Sequence, residues 1–117
     1  MLLRSYLTNK IHGIRLTDKN VAYVGSLTLS PEILAASGMS ENEVVHVVNV
    51  TTGARLTTYI ILGKEPGQCV LNGGAARHAE VGDELIVMAF GVSDKPVQPR
   101  IAFMTPNNKV ERIVGPQ

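Results

Sequence analysis

The chain has 117 residues, a formal net charge of +1 and 44% hydrophobic residues. That suits one domain with its own core, and it excludes the long-range attraction to nucleic acid or anionic membrane that a strong charge excess creates. No two Lys or Arg residues are adjacent, Trp is absent, and three Tyr and two Phe are present, so neither a stacking platform for single strands nor a polybasic patch is expected.

Most of the pattern has period two, the mark of strands. Lys10 and His12 point the same way if their segment is extended. One helix is expected: Ser30 suits the N-cap, Pro31 the first helical position and Gly38 the position after the end. Strands are expected over Glu43–Val50, rich in Val, and over Arg55–Leu62, with Thr, Tyr and Ile. Cys69, the single cysteine, excludes an intrachain disulfide and reads as a small buried strand residue. A second helical turn is expected at Asn72–His78. Glu84–Phe90, Arg100–Met104 and Lys109–Val114 read as further strands. Thr52-Gly53, Gly63–Gly67, Gly82-Asp83 and Thr105–Asn108 supply the turns. The sum is a mainly β domain over 1–117, a small barrel or sandwich with one or two short helices. No segment approaches the roughly 18 apolar residues of a membrane helix, and the N-terminus lacks a signal peptide's pattern. A cytoplasmic location is the default expectation.

Alternation also sorts the chemistry. Arg55, Thr57 and Tyr59 share one face of their strand, with Leu56 and Thr58 on the other. That face thus carries a guanidinium, a hydroxyl and a phenol. An ordinary solvated strand face has the same look. The three histidines, His12, His46 and His78, lack metal-ligand spacing, and no metal is expected.

Four segments, in this order, carry a resemblance: Lys10-Ile11-His12, Tyr23-Val24-Gly25-Ser26, Arg55-Leu56-Thr57-Thr58-Tyr59 and Asn72-Gly73-Gly74-Ala75-Ala76. Together they resemble the pyruvoyl-dependent aspartate 1-decarboxylases, over a stretch from about Leu3 to Phe90. The resemblance implies a double-psi β-barrel assembled as a homotetramer. It implies that the Gly25–Ser26 bond breaks itself, dividing the chain into 1–25 and 26–117, and that Ser26 becomes a pyruvoyl group. That group would form a Schiff base with L-aspartate and act as electron sink while carbon dioxide leaves, giving β-alanine for pantothenate biosynthesis; no pyridoxal phosphate is then needed.

Roles follow by the same resemblance. Thr58 stabilises the oxyanion of processing and contacts substrate. Arg55 holds a substrate carboxylate with its planar fork of donors, and Lys10 belongs to the same pocket. Tyr59 is the proton donor, a role open to a phenol because that group ordinarily keeps its proton at neutral pH. Asn72, Gly73, Gly74 and Ala75 form a substrate-contacting turn, and His12 and Tyr23 lie near the reactive centre. Three positions depart from the usual pattern: Val24, where many members have an acidic residue; Gly74, where alanine is usual; and Val48, tryptophan in some. Whether processing needs a helper protein is open. So are two other readings: a non-catalytic small β-barrel that binds a partner or serves as a structural subunit, and a pyruvoyl decarboxylase for another amino acid.

Overall fold

The alternation at positions 55–62 is realised as a strand over Arg55–Leu62, with Ile60 fully buried and Arg55 exposed. The computed structural model describes every residue from Met1 to Gln117. In chain order the elements are β1 (Arg4–Arg15), β2 (Asp18–Asn20), β3 (Ser26–Leu29), α1 (Pro31–Ser37), β4 (Val44–Asn49), β5 (Arg55–Leu62), β6 (Cys69–Asn72), a 3-10 segment (Gly73–His78), β7 (Glu84–Ser93), β8 (Arg100–Met104) and β9 (Val110–Val114). The expected strands and both helical segments are therefore present. Four of them differ at the ends: β4, β9 and the 3-10 segment start one residue later than expected, β4 also ends one residue earlier, and β7 runs on to Ser93.

Four strands are not revealed by alternation. β1 is long, but register shifts between Leu7 and Asn9 and between His12 and Ile14 break its period. β2 and β3 span only three and four residues. β6 is buried at all four positions, so both its faces are covered and nothing alternates.

The strand order is β2-β6-β3-β5-β4-β7-β1-β8-β9. The run from β2 to β1 begins and ends in neighbouring parts of the chain, because only Leu16 and Thr17 separate β1 from β2. Leu16 N–H donates to Asp83 O at 3.0 Å, after which Thr17 N–H donates to Cys69 O at 2.8 Å. The sheet thus turns back on itself, consistent with a small barrel. Inside it lie Ile11, Leu27, Leu29, Val45, Val47, Ile60, Leu71, Leu85 and Val87, each with no exposed surface. Burial of each such side chain stabilises the fold by about 1.5–3 kcal/mol.

Helix α1 closes one side through buried Ile33, Leu34 and Ala36. It has no basic residue in its last turn. Its terminal carbonyls are satisfied from neighbouring strands: Arg100 Nε donates to Ala36 O and Nη2 to Ala35 O, both at 2.9 Å, and Asn9 Nδ2 donates to Ser37 O at 2.8 Å. Gly38 ends the helix at φ 74°, the left-handed conformation that glycine tolerates best. Ser30 occupies the N-cap position, but its hydroxyl makes no cap hydrogen bond and donates instead to Glu32 Oε2 at 2.8 Å. Gly67 N–H donates to the same carboxylate oxygen. Partial burial opposes charge on Glu32, yet these two bonds prevail and hold its carboxyl below the usual range.

Candidate active site

Ser26 opens β3, and antiparallel pairing sets it opposite Asn72, the last residue of β6. A serine here is fully buried, so its hydroxyl must find partners within the protein. Asn72 Nδ2 donates to Ser26 Oγ at 2.9 Å and to Thr28 Oγ1 at 3.0 Å. Ser26 Oγ in turn donates to Val24 O at 3.4 Å, a long bond. The hydroxyl is therefore tied to Asn72 on one side and Val24 on the other, on the strand side of an exposed stretch that includes Tyr23, Val24 and Gly25.

Gly73 fixes that stretch from the other side. Its φ is +63°, and a Cβ at this position would lie 2.7 Å from both Gly25 Cα and Gly25 N and 2.8 Å from Tyr23 O. Only a residue without a side chain allows the 3-10 segment to lie this close to Gly25 and the peptide before it. Gly25 itself is less constrained, since a Cβ there would meet only Asn72 O, at 3.8 Å. Gly74 is exposed with open space around it, and Ala75 is half-buried. The alanine usual at position 74 would therefore meet no obstruction.

Strand β5 brings the next two residues close. β3 and β5 run parallel with Leu27 beside Ile60. Counting back along both strands sets Tyr59 level with Ser26 and Thr58 level with Gly25. Thr58 pairs with the buried Val45, and Leu56 with the buried Val47, so these residues face the core side. Arg55, Thr57 and Tyr59 face the other way, as alternation predicts.

Arg55 and Lys10 are not brought to Ser26 within one chain. Arg55 lies four residues along β5 from Tyr59, about 13 Å at strand rise. Its side chain takes part in neither ion pair of the chain, which are Arg15–Glu84 and Lys19–Glu80. Lys10 is on β1, three strands from β5, in the cross-sheet row Lys10, Met88, His46, Thr57. His12 falls in the adjacent row, which ends at Arg55, and its ring tilts against Phe103 with centroids 5.4 Å apart. These cations thus share an outer sheet face whose apolar members include the exposed Val44 and Phe90.

Cys69, three residues before Asn72, is fully buried, and burial pushes its thiol up to about 12. It is an inert core residue, as its strand setting suggests. No group of three or more His, Cys, Asp or Glu side chains is placed to hold a metal ion, and no helix is long and apolar enough to cross a membrane. A cleft of about 400 Å3 borders Asn72, with Tyr23, Thr28, Gly63 and Gln68 among its lining. Thr28 is the one member of the Ser26 cluster that no motif points to. Its only sequence signal is its place two residues after Ser26 in a strand, which puts both on one face.

A buried serine, bonded by an asparagine and preceded by a glycine that Gly73 lies against, is the centre of this small mainly β protein. The chain matches the family model described as aspartate decarboxylase over residues 2–111. It is 44% identical over 110 residues to aspartate 1-decarboxylase of Thermotoga petrophila, covering 93% of this chain and 96% of that one. It is 40% identical over 119 residues to the Bacillus pumilus aspartate 1-decarboxylase, with 97% and 94% covered. For the Listeria monocytogenes aspartate 1-decarboxylase the identity is 43%, with 97% and 93% covered. The chain belongs to the aspartate decarboxylase family.

Proposed function

We infer that this chain is a carboxy-lyase that converts L-aspartate to β-alanine and carbon dioxide, a step of pantothenate biosynthesis, with Ser26 the source of its pyruvoyl group. The observation that carries the inference is the buried Ser26 hydroxyl, bonded by Asn72 beside a Gly25 peptide that Gly73 touches, in a chain of this family.

The residues fit such a group. A pyruvoyl unit is smaller than the serine it replaces, so the space that Ser26 fills accommodates it. Maturation uses the chain's own atoms. Ser26 Oγ attacks the Gly25 carbonyl carbon; a C–O bond forms, the Gly25–Ser26 C–N bond breaks, and the hydroxyl proton passes to the freed nitrogen. Thr58, level with Gly25, is the hydroxyl donor for the oxyanion of that attack. Loss of the Ser26 Cα proton and cleavage of its Cβ–O bond release chain 1–25 with a carboxylate end. Hydrolysis of the remaining enamine expels ammonia and leaves chain 26–117 with its ketone.

When present, the group supplies an electron sink for the pair left as carbon dioxide departs. Tyr59, level with Ser26, delivers the proton to the carbon that carbon dioxide has left. Asn72 and the backbone of Gly73, Gly74 and Ala75 line the substrate's position. Arg55 grips a substrate carboxylate with two parallel N–H donors, and Lys10 adds charge to the same pocket. Because both lie far from Ser26 in one chain, they come from a neighbouring subunit. The exposed apolar face that carries them favours such packing, and the assembly is a homotetramer. The location is the cytoplasm.

The test is an intact-mass spectrum of the purified protein under denaturing conditions, followed by an assay on aspartate. Two fragments divided after Gly25, the larger lighter by one ammonia than its hydrolysis product, together with β-alanine from aspartate and none of the corresponding product from glutamate, are expected. Ser26→Ala stays whole and inactive. A wild-type chain that stays whole even after incubation with a cell extract, or normal turnover by Ser26→Ala, refutes the reading.

A further inference from the structure

We propose that Thr28 is a positioning residue for the maturation of Ser26, acting through the Asn72 amide; this rests on the reading of Gly25–Ser26 as the self-cleaving bond. Asn72 Nδ2 has two protons, and each has one acceptor: Ser26 Oγ at 2.9 Å and Thr28 Oγ1 at 3.0 Å. The amide is thus held at two points. The terminal torsion of an asparagine is broad and poorly restrained by itself. Asn72 and Thr28 both border the open cleft, so an amide bonded only to Ser26 can swing toward water.

Thr28 is fixed in turn. A β-branched side chain is stiff about its first torsion, and the Thr28 methyl sits in space that Gly63 leaves free. A Cβ at Gly63 would lie 2.9 Å from Thr28 Cγ2. The methyl is therefore seated on Gly63 while Oγ1 faces Asn72. The chain of contacts runs from Gly63 through Thr28 and Asn72 to the attacking oxygen. Asn72 occupies that oxygen as a donor, so the Ser26 O–H is engaged only by the long bond to Val24 O. The two hydroxyls share a strand face because they are two residues apart.

The experiment follows cleavage of the full chain by intact mass over time, for wild type, Thr28→Val and Thr28→Ser, each also in an Asn72→Ala background. Thr28→Val removes the hydroxyl and keeps the shape, and it slows cleavage about tenfold, the loss of one hydrogen bond. Thr28→Ser discards the methyl and keeps the hydroxyl, and it cleaves within about threefold of wild type. In the Asn72→Ala background Thr28→Val brings no further loss, because the effect passes through Asn72. A purely structural role for Thr28 predicts the reverse order, with serine no better than valine. Should Thr28→Val fail to fold, Thr28→Ala set against Thr28→Ser makes the same comparison. Wild-type cleavage with Thr28→Val at an equal rate, serine as slow as valine, or an undiminished effect without Asn72 overturns the proposal and leaves the maturation reading standing. A wild-type chain that never cleaves, alone or with a cell extract, overturns both.

Discussion

Gly73→Ala tests the contact between the 3-10 segment and Gly25, the residue before Ser26. The added methyl lies 2.7 Å from Gly25 Cα and N and 2.8 Å from Tyr23 O, at φ +63°. Left-handed backbone costs a non-glycine residue about 1–2 kcal/mol, and overpacking against a neighbour typically costs about 1–3 kcal/mol more. The clash can be relieved on either side. Gly73 and Asn72 are buried, whereas Tyr23, Val24 and Gly25 are exposed, so the exposed stretch is the one that yields. Ordinary contact then requires a movement of about 0.7 Å, most of it at Gly25, whose carbonyl carbon must meet Ser26 Oγ. Displacement of about 1 Å can cost a reaction about a hundredfold. We therefore expect a stability loss at the lower end of their sum, about 2–3 kcal/mol, and cleavage slowed about a hundredfold. Urea unfolding in a Ser26→Ala background measures the first quantity without the complication of cleavage, and a mass time course measures the second. Gly74→Ala is the control, since nothing lies within 4 Å of its added Cβ; it matures at the wild-type rate. Wild-type cleavage by Gly73→Ala would refute the reasoning, as would equal slowing by Gly74→Ala.

Arg55→Ala leaves maturation intact and raises KM for aspartate by about 10- to 100-fold, the loss of a charged hydrogen-bonding partner; steady-state kinetics on the fully cleaved protein decide, and an unchanged KM removes Arg55 from the carboxylate site. Tyr59→Phe still cleaves but lowers kcat about 10²- to 10⁴-fold, the usual range for a lost general acid; full activity transfers that role elsewhere. Asp83 accepts from Glu80 N–H and Asn49 Nδ2, both at 2.9 Å, and these bonds, with the charge of Lys19, hold its carboxyl below the ordinary value. Its contribution to stability is complete above about pH 4, the unfolded titration point, and is lost as pH falls through the lower folded value. Asp83→Asn therefore flattens the acid side of the stability profile, and an unchanged slope below about pH 4 contradicts this.

Some of the site was legible without a fold. Arg55, Thr57 and Tyr59 share a face because side chains alternate along any strand, and the helix ends are marked by Pro31 and Gly38 through local backbone preference. The buried strand β6 was not legible, because full burial erases alternation, and β1 hides its period behind two register shifts. By itself the sequence determined the mainly β class, the helix boundaries and, through its Gly-Ser, Arg-Thr-Tyr and Asn-Gly motifs, the family. Tertiary structure alone decided which of these residues meet. Asn72 reaches Ser26 across 46 positions of chain, Gly73 touches Gly25, Thr28 joins the cluster, and Arg55 and Lys10 stay apart from it. The reason is physical: alternation is a property of one strand, whereas contact between β3 and β6 depends on register, which the buried faces of both strands set only when the sheet closes.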